Sequence, residues 1–248
     1  MDPEKRPVVL EVKDLCKSFG QNHVLVDFNM KLYEGENMVI LGRSGSGKTV
    51  FIKCLVGLMP IDSGIVNILG RNVTDLDQKE IDKLRTDIGF LFQGSALYDS
   101  MTVRENLEFP LRRHPEKIGE LKDTRPLVLE ALENVGLAHA IDLMPSELSG
   151  GMKKRVALAR TLMLKPRIIL YDEPTTGLDP ITGKEIAQLI LEIQKRYNTS
   201  SITITHDMVC TRIIANRIIT LVEGRNYAEG TYDELQKHHD PRVSGFFL

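Results

Sequence analysis

Cysteine is scarce in this chain: Cys16, Cys54 and Cys210 are scattered and show no metal-site spacing. They offer no disulfide framework and fit a reducing setting. Long apolar runs are missing too; no uncharged stretch approaches the ~18 residues needed to cross a bilayer. The opening Met1-Asp2-Pro3-Glu4-Lys5-Arg6 lacks the apolar segment of a signal peptide. A formal net charge of −2 leaves no footprint for general nucleic-acid binding. Repeats, low-complexity tracts and heptad runs are absent as well. With 42% hydrophobic and 27% charged residues among 248, the composition is that of a soluble protein able to bury a core. One large α/β domain, or a domain with an inserted subdomain, is expected. Any membrane role is then expected through a partner.

What is present is organised around Gly42-Arg43-Ser44-Gly45-Ser46-Gly47-Lys48-Thr49, a G-x-x-x-x-G-K-T phosphate-binding loop. The apolar run Asn37 to Leu41 leads into it as a strand. Ile52, Leu55, Val56 and Met59 follow at helical spacing. Glycines let the backbone curl so that several N–H groups face one phosphate, and the helix N-terminus adds partial positive charge. Lys48 is placed to reach the β- and γ-phosphates, and the Thr49 hydroxyl to ligate Mg²⁺.

Around the loop, Val8 to Leu15 favours a strand, with Phe19 just beyond it. Val24, Val26, Phe28, Met30 and Leu32 alternate with mostly polar neighbours, the mark of a half-covered antiparallel strand. The helix after the loop is predicted to stop near Met59-Pro60. Strands are predicted at Ile65 to Leu69 and Ile88 to Phe92, with a helix capped by Asp77 between them. From Gly94 to about Lys165 helices dominate. Thr102-Val103-Arg104-Glu105 is a capping box whose helix is predicted to end before Pro110. Arg112 to Asp123 reads as an exposed loop or short helix, and a further helix closes at Gly136. Residues 94–165 are therefore expected to form a helical subdomain, inserted between 1–93 and 166–248 of a single domain. The α/β pattern resumes at Ile168 to Asp172. Asp179-Pro180 opens a helix, Ile202 to Thr205 is a strand, a hairpin follows at Ile218 to Ala228, and Thr231 caps a last helix.

Several residues carry chemistry. Asp172-Glu173 falls at the carboxyl end of a strand, where open α/β sheets bind ligands. The phosphate loop is expected at the same edge of a neighbouring strand. An Asp there suits Mg²⁺, and the adjacent Glu suits proton abstraction from water. His206 and Gln93 also follow strands. Leu148-Ser149-Gly150-Gly151-Met152 precedes a helix predicted from Lys153 to about Leu164, and forms a second candidate anion site.

In this order, Gly42 to Thr49, Gln93, Leu148 to Met152, Ile168 to Glu173, Leu178-Asp179 and His206 resemble the ATP-binding-cassette (ABC) ATPases. The resemblance spans Phe19 to His206. It implies a P-loop NTPase fold: a RecA-like mixed-sheet core, an N-terminal antiparallel β-subdomain and the inserted helical subdomain. It also implies an ATP hydrolase acting as a head-to-tail homodimer with two ATP molecules between subunits. Phe19 would then stack on adenine, and Gly42 to Thr49 would hold the phosphates. Thr49, Gln93 and Asp172 would hold Mg²⁺, Glu173 would be the general base, and His206 would contact the γ-phosphate. Ser149, Gly150, Gly151 and Asp179 would act across the dimer. Phe19 stands where Tyr is usual, Met152 where Gln is more common, and Val50 where Thr is frequent.

Phe92 to Val103, Met144-Pro145-Ser146-Glu147 and Asp240-Pro241-Arg242-Val243 further resemble the ATPase subunits of Mla/MCE-type lipid transporters. That resemblance implies a multi-span permease, an MCE-type lipid-binding partner and a place at the cytoplasmic face of the inner membrane. Leu97, Tyr98, Met101 and the Pro110-Leu111 region would receive a helix of the permease. The alternatives are a cassette energising an amino-acid, ion or peptide permease, or a mechanical clamp on nucleic acid. The negative net charge disfavours the clamp.

Overall fold

A computed structural model describes residues 6–117 and 123–247. The predicted alternation over residues 24–32 holds for Phe28, Met30 and Leu32 but slips at Asp27, which takes a left-handed φ of 45°, so that Leu25 rather than Val24 or Val26 is buried. The strand lies in an antiparallel four-stranded sheet, ordered β2-β1-β4-β5. Its strands are β1 (Val8–Phe19), β2 (Asn22–Tyr33), β4 (Ser63–Ile68) and β5 (Arg71–Asn72). Phe19 thus lies within β1, as its last residue, where it pairs with Asn22. A six-stranded sheet comprises β3 (Asn37–Leu41), β6 (Ile88–Leu91), β7 (Ile168–Asp172), β8 (Ser200–Ile204), β9 (Arg217–Val222) and β10 (Arg225–Gly230). Its order is β10-β9-β3-β8-β7-β6, parallel throughout except for the β9–β10 hairpin.

The central strands are apolar because both faces are covered. Met38 and Ile40 of β3 point into a core shared with the four-stranded sheet and with helix α1 (Lys48–Leu55), whose Phe51 ring lies 4.7 Å from that of Phe28. Val39 and Leu41 point the other way, into a core built in large part by four helices. These are α3 (Val103–Arg113), α4 (Arg125–Glu133), α5 (Gly150–Leu162) and α6 (Pro180–Tyr197). Ile168 and Leu170 of β7 follow the first pair, and Ile169 and Tyr171 the second. The period of two thus feeds both cores from one strand.

Three predicted boundaries shift, each for a local reason. Helix α1 ends at Leu55 rather than near Pro60, because Gly57 adopts a left-handed φ of 67°. The N–H groups of Leu58 and Met59 both turn back to the Lys53 carbonyl. Helix α3 keeps its predicted capping box but runs through Pro110 to Arg113. Leu107 and Leu111 are both buried, and His114 N–H closes on the Pro110 and Leu111 carbonyls. Burial on both sides of the proline outweighs the one backbone bond it removes. Helix α5 starts at Gly150, inside the glycine stretch, with Ser149 as N-cap, its side-chain oxygen accepting from Met152 N–H.

The predicted helices at Asp77 and Asp179 are α2 (Gln78–Arg85) and α6, each capped by the expected aspartate. Thr231 caps α8 (Tyr232–Gln236), which is not the last helix: α7 (Met208–Ile214) precedes it and α9 (Pro241–Ser244) follows, capped by Asp240. The predicted loop over Arg112 to Asp123 contains the last turn of α3 and a short 3₁₀ turn at Pro115–Lys117; its 118–122 portion lies outside the described residues.

Candidate nucleotide site

The carboxyl ends of β3, β7 and β8 open into one cleft of about 790 Å³. Phe19, Gly42, Arg43, Ser44, Gly45, Gly47, Lys48, Thr49, Gln93, Asp172, Glu173 and His206 all line it. The phosphate loop and Asp172-Glu173 are not on adjacent strands, as the sequence had implied. β8 lies between them, and its end supplies His206. The three groups converge because β3, β8 and β7 are parallel, so their carboxyl ends share one edge.

The loop's shape depends on Gly47, at a φ of 100°. A Cβ there would lie 2.8 Å from Val24 Cγ1 and 2.9 Å from the Val24 carbonyl oxygen. Lys48 is 8% exposed and donates to the carbonyls of Gly42 (2.7 Å) and Arg43 (3.0 Å). Burial lowers the pKa of its ammonium, while Glu173 and Asp172 pull it back up. Ser46, predicted to bind phosphate with the rest of the loop, does not line the cleft; its Oγ is buried without a hydrogen-bond partner among the described residues. Phe19 is 49% exposed at the cleft wall, with Lys17 Nζ 5.5 Å from its ring centroid.

Across the cleft, burial raises the Asp172 pKa, the Glu173 charge adds to this, and Lys48 and Lys154 offset part of it. Glu173 takes a left-handed φ of 48°, unusual for a residue with a side chain, and its N–H donates to the Ile204 carbonyl at 2.8 Å. That turn swings the carboxylate off the strand direction into a fixed set of partners. Thr176 Oγ1 donates to Oε2 at 3.0 Å, Thr205 Oγ1 lies 3.4 Å from the same oxygen, and His206 Nδ1 lies 2.9 Å from Oε1. An ionised carboxylate only accepts, so this contact puts an imidazole proton on Nδ1. Asp207, beside it, accepts from Thr175 Oγ1 at 2.7 Å and caps α7, so the turns after β7 and β8 are tied together.

Ser149, Gly150, Gly151 and Asp179 are absent from the cleft lining. They open α5 and α6 instead, where Gly150 faces Leu178 and Gly151 faces Thr182. Sequence reasoning missed Val24, Thr176, Thr205, Phe246 and Lys154. Val24 and Phe246 line the cleft from distant strand and C-terminal positions, without any local motif. A buried lysine in the second turn of α5 has no signal in the sequence, where Lys153-Lys154 reads as a solvated pair. Cys54 behaves as the buried hydrophobe expected, its thiol pushed up to about 11 by burial.

A loop that grips phosphate, a carboxylate pair facing it and a separate glycine-capped helix are the parts of an ATP-binding cassette. Residues 25–176 match the model described as "ABC transporter". The chain belongs to that family. As a member it binds and hydrolyses ATP. It is 38% identical over 239 residues to the probable ribonucleotide transport ATP-binding protein mkl of Mycobacterium leprae, covering 96% of this chain and 68% of that one. It is 36% identical to the intermembrane phospholipid transport system ATP-binding protein MlaF of Haemophilus influenzae, covering 96% of this chain and 89% of that one. Among solved structures, the dimeric post-hydrolysis ATP-binding cassette MJ0796 bound to ADP and Pi superposes with a TM-score of 0.80 at 34% identity, over 90% of this chain and 98% of that one. No helix among the described residues is long and apolar enough to cross a membrane.

Proposed function

We propose that this ABC ATPase energises transport of phospholipid or another lipid, working as a homodimer beneath a membrane permease with an MCE-type lipid-binding partner. The observation that carries the dimeric reading is the separation within one chain: the loop, Glu173 and His206 share a cleft that the signature residues do not line. A second copy's Ser149, Gly150 and Gly151 would close over the γ-phosphate, with its Asp179 at the interface. The dimeric cassette MJ0796 supports this arrangement. Residues 94–165 would swing as a helical unit against 1–93 and 166–248 during closure.

In this mechanism Phe19 stacks on the adenine, and the loop N–H groups with Lys48 hold the β- and γ-phosphates. The Glu173 carboxylate takes a proton from the attacking water as its oxygen bonds to the γ-phosphorus and ADP leaves. His206 and Thr176 hold that carboxylate in place, and His206 extends toward the γ-phosphate. Thr49, Gln93 and Asp172 all line the cleft and offer oxygen donors to it. They suit Mg²⁺, which takes one or two carboxylates and completes its shell with phosphate and water. Among the described residues no cluster of three or more His, Cys, Asp or Glu offers a rival metal cage. Bound there, Mg²⁺ would neutralise charge developing on the phosphates.

For the permease, a hollow of about 290 Å³ includes Phe90, Phe92, Tyr98, Phe109, Pro110 and Leu164 in its lining. Phe92 and Tyr98 are each 42% exposed, and their rings pack at a tilt against Phe90 and Phe109, with centroids 4.1 and 4.7 Å apart. Aromatic area left half-open on a surface suits an incoming helix. Leu97 and Leu111, expected in this surface, pack inward against the core instead. Similarity over 89% of MlaF favours lipid as the cargo and the cytoplasmic face of the cell membrane as the location. The mkl relative, described as a ribonucleotide transport protein, favours a small polar solute as the second reading.

Mass spectrometry of the complex purified with its native membrane partners decides between them. Co-purified phospholipid is the expected result, and a polar solute without lipid would overturn the lipid reading. Tyr98→Asp is expected to abolish co-purification with the permease while ATP binding persists. Unchanged co-purification would remove the groove as docking site.

A further inference from the structure

We propose that Lys154 is a positioning residue that ties the signature helix α5 to both the Gln93 loop and the general base Glu173. Its side chain is almost wholly enclosed, at 4% exposure. The ammonium donates to the Gln93 carbonyl and lies 3.5 Å from the Glu173 carbonyl. No carboxylate oxygen stands within ion-pair distance of it among the described residues. Enclosing an ammonium with no carboxylate in contact is costly. A methionine of similar length would fill the same space without that cost. The charge is thus out of place as packing, and its two carbonyl partners give it another use.

Those partners are informative. Gln93 lies two residues beyond the end of β6, at the cleft, on the loop that reaches the aromatic groove. Glu173 ends β7 with a left-handed turn that aims its carboxylate. Lys154 reaches both from the second turn of the helix whose first residues are Gly150 and Gly151. Six residues further along α5, Arg160 donates to the Ser95 carbonyl at 3.0 Å and the Ala96 carbonyl at 2.8 Å. Ser95 and Ala96 both sit at left-handed φ, 63° and 48°, in a backbone that needs holding. Arg160 therefore fixes the groove end of the loop, and Lys154 fixes its cleft end. When the signature shifts over a second copy's nucleotide, α5 carries Lys154 with it. The Gln93 and Glu173 backbones are then moved together by one ammonium, so groove, metal-side glutamine and base respond as a unit.

This inference rests on Glu173 as general base, so Glu173→Gln is measured beside it. The test compares steady-state ATP hydrolysis, nucleotide affinity and Tm of the full chain for Lys154→Met and Lys154→Arg. Lys154→Met leaves two carbonyls short of a donor but releases the desolvated charge, so Tm is expected to change little. Its kcat is expected to fall about 100-fold, the cost of a small misplacement of a reacting group, with KM for ATP nearly unchanged. Lys154→Arg, which keeps the charge and donors, is expected to recover most of the loss. Wild-type kcat in Lys154→Met, or a loss seen only in KM, overturns the proposal. So does a folded Lys154→Arg as slow as Lys154→Met. If Lys154→Met fails to fold, Lys154→Leu, which likewise has no donor, takes its place under the same criteria. A Glu173→Gln variant with wild-type turnover removes the base assignment itself. One without turnover, beside an unaffected Lys154→Met, removes only the link through Lys154.

Discussion

Replacing Glu173 by Gln tests the site most directly, because it changes chemistry while leaving shape. Both side chains have the same length and branching. The amide oxygen of Gln can keep the contact with His206 Nδ1, now 2.9 Å, and its NH₂ group can face the Thr176 hydroxyl, now 3.0 Å from Oε2. The left-handed backbone at residue 173 is untouched by the exchange. What is lost is a group able to accept the proton of an attacking water. A positioned general base contributes about 10² to 10⁴ in rate, or roughly 3–5 kcal/mol of barrier. ATP binding depends on the loop N–H groups and Lys48, so the variant is expected to keep its nucleotide affinity. Binding without turnover should leave an ATP-bound dimer that does not reopen. Phosphate release measured with and without ATP-dependent size-exclusion shift reads both halves of this expectation. Turnover near the wild-type rate would refute the reasoning. His206→Ala serves as the control: with a side chain 69% exposed, it should cost less than Glu173→Gln. The reverse order would move the base role to the histidine.

Gly47→Ala places a Cβ 2.9 Å from a backbone oxygen at a φ of 100°. The loop must deform, and ATP affinity by titration calorimetry is expected to fall about tenfold or more, with unchanged affinity refuting the cradle geometry. Glu108 is buried on α3 between Arg104 (2.8 Å) and Arg112 (2.6 Å), with Thr124 at 2.9 Å. Burial alone would raise the pKa of its carboxyl, but the bonds from Arg112, Arg104 and Thr124 outweigh it and hold the value below 4.5. A depressed folded value means the stabilisation is present above the ordinary carboxylate range and is lost as pH falls through the folded value. Glu108→Gln is therefore expected to cost about 1–3 kcal/mol in urea unfolding near neutral pH, and progressively less as pH falls below the ordinary carboxylate range. An equal cost at all pH values would show that the ion contacts do not stabilise the helix.

Legibility followed the range of the forces involved. The phosphate loop, the capping boxes at Thr102 and Thr231, the N-caps at Asp77 and Asp179 and the apolar central strands were readable because each depends on residues a few positions apart. Errors arose where a local rule met a distant contact. Pro110 should end α3 by backbone chemistry, yet the core under Leu107 and Leu111 carries the helix past it. Leu97, expected in a partner surface, is only partly exposed because it also packs against the core.

By itself, then, the sequence pointed to the residues proposed to handle phosphate, water and the second copy's nucleotide, because those chemistries need particular side chains at fixed short spacings. Tertiary structure alone decided that β8 would stand between the loop strand and the carboxylate strand, bringing His206 against Glu173. It also decided that the aromatic side chains of β6 and α3 would share one half-open groove, and that Lys154 would be enclosed between two carbonyls rather than solvated. Those outcomes depend on strand order and on the approach of α5 to the sheet. Both are set by packing between segments far apart in the chain, for which no short stretch of sequence carries the information.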